Sequence, residues 1–158
     1  MFIEYNKQYY PFIIIKFNGS IKNDKEFYEF TNYWLELNDQ NKNFVFIFDT
    51  FNIGLINIKY CFLMALFIKK LKKQKNNYLQ FSLILINNKF IKSLFDLIFF
   101  IEKPIANVYI SNNSINDIIN LNEKIFIKNK NINHNKNSNY EIDKSILNNI
   151  SISKIFYK

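Results

Sequence analysis

Arginine is absent from this chain of 158 residues, and all 21 of its basic side chains are lysine. Arginine is the side chain suited to planar, two-pronged contacts with phosphates and guanine edges. Its absence argues against a dedicated nucleic-acid reader, despite a net charge of +8 and a pI of about 9.4. The chain is also crowded with Asn, Ile, Phe and Tyr, whose codons are AT-rich. An AT-biased composition explains lysine over arginine without any ligand. Nor is the charge concentrated: residues 1–122 hold 14 Lys and 10 acids, and residues 123–158 hold 7 Lys and 3 acids.

Cysteine occurs once, at Cys61, so no intrachain disulfide can form and a reducing, cytoplasmic setting is the expectation. The two glycines, Gly19 and Gly54, exclude the usual glycine-rich phosphate loops. With Pro11 and Pro104 as the only prolines, the chain has too few turn formers for an all-β fold. The single histidine, His134, lies in an Asn-rich stretch, which argues against a zinc site or a catalytic histidine. The start, MFIEYNKQYY, carries no signal-peptide pattern. The longest apolar run, Tyr60 to Ile68, is far shorter than the ~20 residues needed to span a bilayer, so no transmembrane segment is expected.

Hydrophobic residues make up 49% of the chain, enough for the core of one domain. Phe12 to Phe17 reads as a strand, with Phe2 to Tyr5 as a shorter edge strand ahead of it. Asn23 to Leu37 reads as a helix: Asn23 caps it, Glu26 stands at capping-box spacing, and Phe27, Phe30, Trp34 and Leu37 form one face. Phe44 to Phe48 is a second strand ending at Asp49-Thr50, and Phe51 to Ile56 reads as a loop. A long helix is predicted over Asn57 to Lys75, with lysines closing its negative end. Leu79 to Ile86 and Asn107 to Ile110 read as strands; Asn88 to Ile101 and Ser114 to Leu121 read as helices. After about residue 127 the periodicity weakens, so the expectation is an α/β domain over 1–122 and an Asn/Lys-rich tail over 123–158, partly disordered. The final Ile146 to Tyr157 regains apolar residues and could dock on the domain or on a partner.

This order and these lengths resemble the STAS domain, the sulfate transporter and anti-sigma antagonist family, over Tyr10 to Asn122. FIIIKFNGSI is similar to its early strand and turn, FVFIFDT to its central strand with an acidic end, and FNIGLIN to the loop before IKYCFLMALFIKKLKKQ. YLQFSLILINN and ANVYISNNSINDII are similar to its later strand–helix units. The resemblance implies a mixed, largely parallel sheet of four to five strands with about four helices. It also implies a regulatory or scaffold role, with the loop and helix after the central strand as the partner surface. One departure bears on that role. Asn57-Ile58-Lys59-Tyr60 stands where many bacterial members carry an Asp-Ser-Ser-Gly-like stretch, so Ile58 occupies the phosphoacceptor position. Isoleucine cannot take a phosphoryl group; Thr50 and Tyr60 have hydroxyls nearby, but nothing marks either as a substrate.

No catalytic constellation stands out, and a non-enzymatic role is expected. Cys61 reads better as a small hydrophobe in YCFLMALFI than as a nucleophile, and Asp49 better as a turn-holding carboxylate than as an acid catalyst. The helix after Asn57 is apolar nearly all round. With Ile58, Phe62, Ala65, Leu66 and Ile68 toward the sheet, Tyr60, Leu63, Met64 and Phe67 point partly away, covered by neighbouring helices or exposed as an interaction patch. The candidate partner surface is then Asp49, Thr50, Asn57, Ile58, Lys59, Tyr60, Leu63, Met64 and Phe67. A protein partner or a second copy is the leading expectation. The alternative, an internal pocket carrying a lipid or apolar small molecule, stays open.

Overall fold

A computed structural model describes residues 2–132 and 142–158. The chain runs β1 (Ile3–Tyr9), β2 (Phe12–Gly19), α1 (Asp24–Asp39), β3 (Phe44–Ile53), α2 (Lys59–Leu71), β4 (Leu79–Leu85), α3 (Lys89–Ile101) and β5 (Asn107–Ser111). It continues with α4 (Ile115–Leu121), α5 (Glu123–Ile132), a 3-10 turn (Lys144–Asn149) and β6 (Ile152–Phe156).

The α/β class expected from the alternation holds, but the sheet is larger and more mixed than four to five largely parallel strands. It has six strands in the order β1-β2-β3-β4-β5-β6. The central β2, β3, β4 and β5 pair in parallel, and β1 and β6 pair antiparallel at the two edges. A tight turn joins β1 to β2, and so short a connection allows only an antiparallel pair. Five of the seven residues of β1 are exposed, a polar pattern suited to an edge and weak as a strand signal.

Sequential parallel strands joined by crossovers of one hand put their connecting helices on one face. Accordingly α1, α2 and α3 cover one side, where Phe30, Trp34, Cys61, Ile68, Ile91 and Ile98 pack against Ile13, Ile15, Phe44, Phe46 and Phe48. On the other side Phe12, Val45, Ile47, Leu83 and Leu85 meet Ile118 of α4, Phe126 of α5 and Ile146. Both faces of the inner strands are thus buried, which is why their sequences show no alternation.

Local signals set the helix starts. Asn23 Oδ1 accepts from Glu26 N at 3.2 Å, while Glu26 Oε2 accepts from Lys22 N at 2.7 Å, one residue before a standard capping box. Asn88 Oδ1 accepts from Phe90 N and Ile91 N at the start of α3, and Ser114 with Asp117 completes a full box at α4.

Two expectations change. First, β3 does not end at Asp49-Thr50; it runs on to Ile53, with Asn52 and Ile53 paired to Asn18 and Gly19. Across this stretch Lys16 to Asn18 stands opposite Asp49 to Asn52, a bulge that places one extra residue on β3. The extension is held where two glycines meet: Gly54 N donates to Gly19 O at 2.7 Å. A Cβ on Gly54 would lie 2.5 Å from Ser20 Oγ and 3.0 Å from the Gly19 carbonyl carbon. Gly19 has φ +72°, where a side chain is strained.

Second, the segment expected as a tail after residue 122 takes part in the packing. Phe126 and Ile146 are fully buried, and β6 pairs with β5. Lys154 Nζ bonds Asp96 Oδ1 at 2.7 Å and the Phe156 ring meets Phe99 at 4.8 Å, tying β6 to α3. Asn122, buried at the α4–α5 junction, donates to Ile118 O and accepts from Asn149 Nδ2 at 2.8 Å. Asparagine here satisfies buried backbone rather than marking a solvated chain. The most polar stretch, 133–141 with His134, lies outside the described residues.

Candidate functional site

The carboxyl end of β3 carries Asp49 and Thr50 inward. Both are buried: Asp49 Oδ1 accepts from Phe51 N at 3.1 Å, and Thr50 Oγ1 donates to Leu85 O at 2.7 Å. Asp49 holds the backbone beyond the bulge, and Thr50 ties β3 to β4. Neither reaches the surface expected of them.

The start of α2 is stitched to the start of α1. Asn57 Oδ1 accepts from Lys59 N at 3.0 Å, so Asn57 caps from one position before the N-cap, Ile58, which makes no side-chain cap bond. Asp24 Oδ1 accepts from Lys59 Nζ at 2.6 Å and from the Tyr60 hydroxyl at 3.0 Å, with the Lys59 ammonium 4.9 Å from the Tyr60 ring centre. The Lys59 hydrogen bond, then that of Tyr60, holds the Asp24 carboxyl below its usual range. The same bond raises Lys59, while burial and then the bond to Asp24 raise the Tyr60 hydroxyl. Every shift reinforces the ordinary charge state, so the cluster clamps two helices and offers no group poised for proton transfer.

Tyrosines elsewhere share this direction. Burial, then Glu29 and Glu36, pushes Tyr5 up to about 12; burial, then Tyr5 and Glu36, raises Tyr33 further. A group raised on folding contributes stability that is present below its unfolded pKa and lost as pH rises through the folded one. Stability is therefore expected to hold steady from pH 8 to about 10 and to fall from there toward pH 12. Urea melts across that range check it; a midpoint constant to pH 11.5 would contradict the burial of the Tyr33 hydroxyl.

Helix α2 has two faces. Cys61, Ala65 and Ile68 lie against the sheet, flanked by buried Tyr60, Phe67 and Leu71, with Leu63 and Met64 half-buried. Phe67, 8% exposed, meets the Trp34 indole edge-to-face at 5.6 Å. The outward face carries Ile58 (56% exposed), Phe62 (50%) and Leu66 (63%), with Leu55 (79%) on the loop before it. Residues four apart share a face, so Ile58, Phe62 and Leu66 form one stripe. The expected facing was rotated by about one residue: Tyr60 and Phe67 are interior, whereas Phe62 and Leu66, assigned to the sheet, are outside. An all-round apolar helix has no polar side to fix its phase. The missing signal was at its end, where exposed Lys69 and Lys70 continue the same stripe.

No protein-family model, curated protein or solved structure matches this chain. The function must therefore be argued from the chain's own residues. Burial pushes the Cys61 thiol up, away from the thiolate a nucleophile needs. Among the described residues no group of three or more His, Cys, Asp or Glu side chains could hold a metal ion, and no helix is long and apolar enough to cross a membrane.

Proposed function

We propose that this chain is a STAS-like, non-enzymatic binding module that engages a protein partner through the outward face of α2 and the loop before it. The observation that carries this reading is the exposed stripe Leu55, Ile58, Phe62 and Leu66. Contiguous exposed apolar side chains rimmed by charge are a common mark of an interaction site. The resemblance assigns the partner surface to the same loop and helix, and the sequential parallel strands with α1, α2 and α3 on one face accord with it.

The stripe passes into Lys69 and Lys70, so the fitting partner has an apolar centre and an acidic rim at one end. Ile58, at the position that takes a phosphoryl group in many bacterial STAS domains, is exposed and lacks a hydroxyl. Binding here is thus independent of that switch. Asp49, Thr50, Tyr60 and Phe67 are buried and lie outside this surface; Asn57, Ile58 and Lys59 belong to it.

Converting Phe62 and Leu66 together to Asp is expected to leave the fold intact and to cut partner affinity by about tenfold or more. Interface centres commonly lose about 2 kcal/mol per truncated anchor. Co-purification of the tagged chain from its own cells, with circular dichroism of each variant, checks this. A folded double variant that recovers the same partner in the same amount would sink the proposal. A second copy of the chain as the recovered partner would make the surface a homodimer interface.

A further inference from the structure

Helices α2 and α3 each link parallel strands, so both end beside the amino ends of β4 and β5. Residues 69–75 and 100–103, at those two helix ends, hold six lysines: Lys69, Lys70, Lys72, Lys73, Lys75 and Lys103. All six are exposed. The one acid in the two segments is Glu102, and Lys72 already pairs with it. The ammonium groups of the other five have no ion-pair or hydrogen-bond partner among the described residues. Helix α1 reaches this end through Asn38, which donates to Gln74 Oε1, but its last-turn Glu36 and Asp39 pair with none of these lysines. A helix C-terminus carries about half a negative charge. Two such ends account for one lysine, not six.

The lysines also share a place. Lys72, Lys75, Lys103 and Lys158 line an open cleft of about 620 Å³, and no Asp or Glu is in its wall. Beside it, two residues before Glu102, Phe100 is 88% exposed, more than any other large apolar side chain among the described residues. Ile101, next to it, is exposed as well.

We propose that this end of the domain docks on an anionic bilayer, with lipid phosphates against the lysines and the Phe100 ring in the acyl boundary. Clusters of four to eight cations beside a bilayer are attracted by its anionic lipids. Lysines flanking exposed Phe and Ile are the make-up of elements that lie in the membrane interface. A soluble polyanion would account for the lysines and leave the ring in water. The contact lies at the far end of α2 from Leu55 and Ile58, so it stands whether or not that face binds a protein.

Sedimentation of the full chain with vesicles tests this. One set is phosphatidylcholine alone and the other carries about a third phosphatidylserine, both in ~0.1 M salt. Binding is expected only to the anionic set. Lys73→Gln, Lys75→Gln and Lys103→Gln should each weaken it about fivefold, and Phe100→Ser about tenfold. These positions are exposed, and circular dichroism checks each fold. Phe62→Asp with Leu66→Asp should leave vesicle binding unchanged, which separates this contact from the protein surface. No binding to anionic vesicles, or equal binding to both sets, overturns the proposal. So does binding that Phe100→Ser leaves unchanged; equal affinity for polyuridylate would then make the cluster a general polyanion site. Loss of binding in the folded Phe62, Leu66 variant would move the membrane contact to the α2 stripe and contradict its placement here.

Discussion

Replacing Phe67 with Asp is expected to leave little or no folded protein, with a loss of at least about 4 kcal/mol. The ring is 8% exposed and wedged edge-to-face on Trp34. An aspartate there would remove a packed aromatic and bury a carboxylate in the apolar core, a cost that a domain stable by about 5–15 kcal/mol barely survives. Phe62→Asp, five residues earlier on the other side of the same helix, is expected to change stability by about 0.5 kcal/mol or less. Urea titrations followed by circular dichroism separate the two. A Phe67→Asp protein that melts with the wild type would mean that α2 is turned the other way. The interaction surface would then be the one expected from sequence rather than Leu55, Ile58, Phe62 and Leu66.

Phe126→Ala carries the second large effect, a loss of about 3–5 kcal/mol. Phe126 is 1% exposed and its ring meets Tyr9 at 5.0 Å and Phe12 at 5.7 Å, where α5 closes the lower face of the sheet. Without it Phe12, Val45 and Leu83 would line a cavity on their second side. A loss under 1 kcal/mol would mean that residues 123–132 are loosely attached and that the lower face is covered by something else. Thermal melts of the full chain and the variant decide between these.

These two positions also show what was legible in the sequence. The strands FIIIKF, FVFIF and LQFSLILI, and the capped helices after Asn23, Asn88 and Ser114, carry strong local signals, and the structure follows them. Strand β1 was visible only over Phe2 to Tyr5; its continuation through Asn6, Lys7 and Gln8 carries no apolar signal, because an edge strand needs only one apolar side. Strand β6 was hidden behind an Asn- and Lys-rich stretch that resembles a linker in composition. Yet Phe126 and Ile146 on either side of it fill the lower core. No local pattern announces that Asn122 will bond Asn149, since the pair forms only once α4 and the 3-10 turn meet. For the proposed surface, the sequence points to a segment but does not set the helix's phase. The loop and helix after β3 could be singled out; which residues of IKYCFLMALFIKKL face outward depends on α1, through Trp34 and the Asp24 clamp on Lys59 and Tyr60.

Site-specific photo-cross-linking in the chain's own cells tests the central claim most directly, with a benzophenone amino acid replacing Phe62 on α2 or Lys124 on α5. The outward face of α2 as a partner surface predicts one discrete cross-linked protein from position 62, absent from position 124 and lost when Leu66→Asp is added. No adduct at position 62 in folded, expressed protein, or the same adducts from both positions, would contradict it.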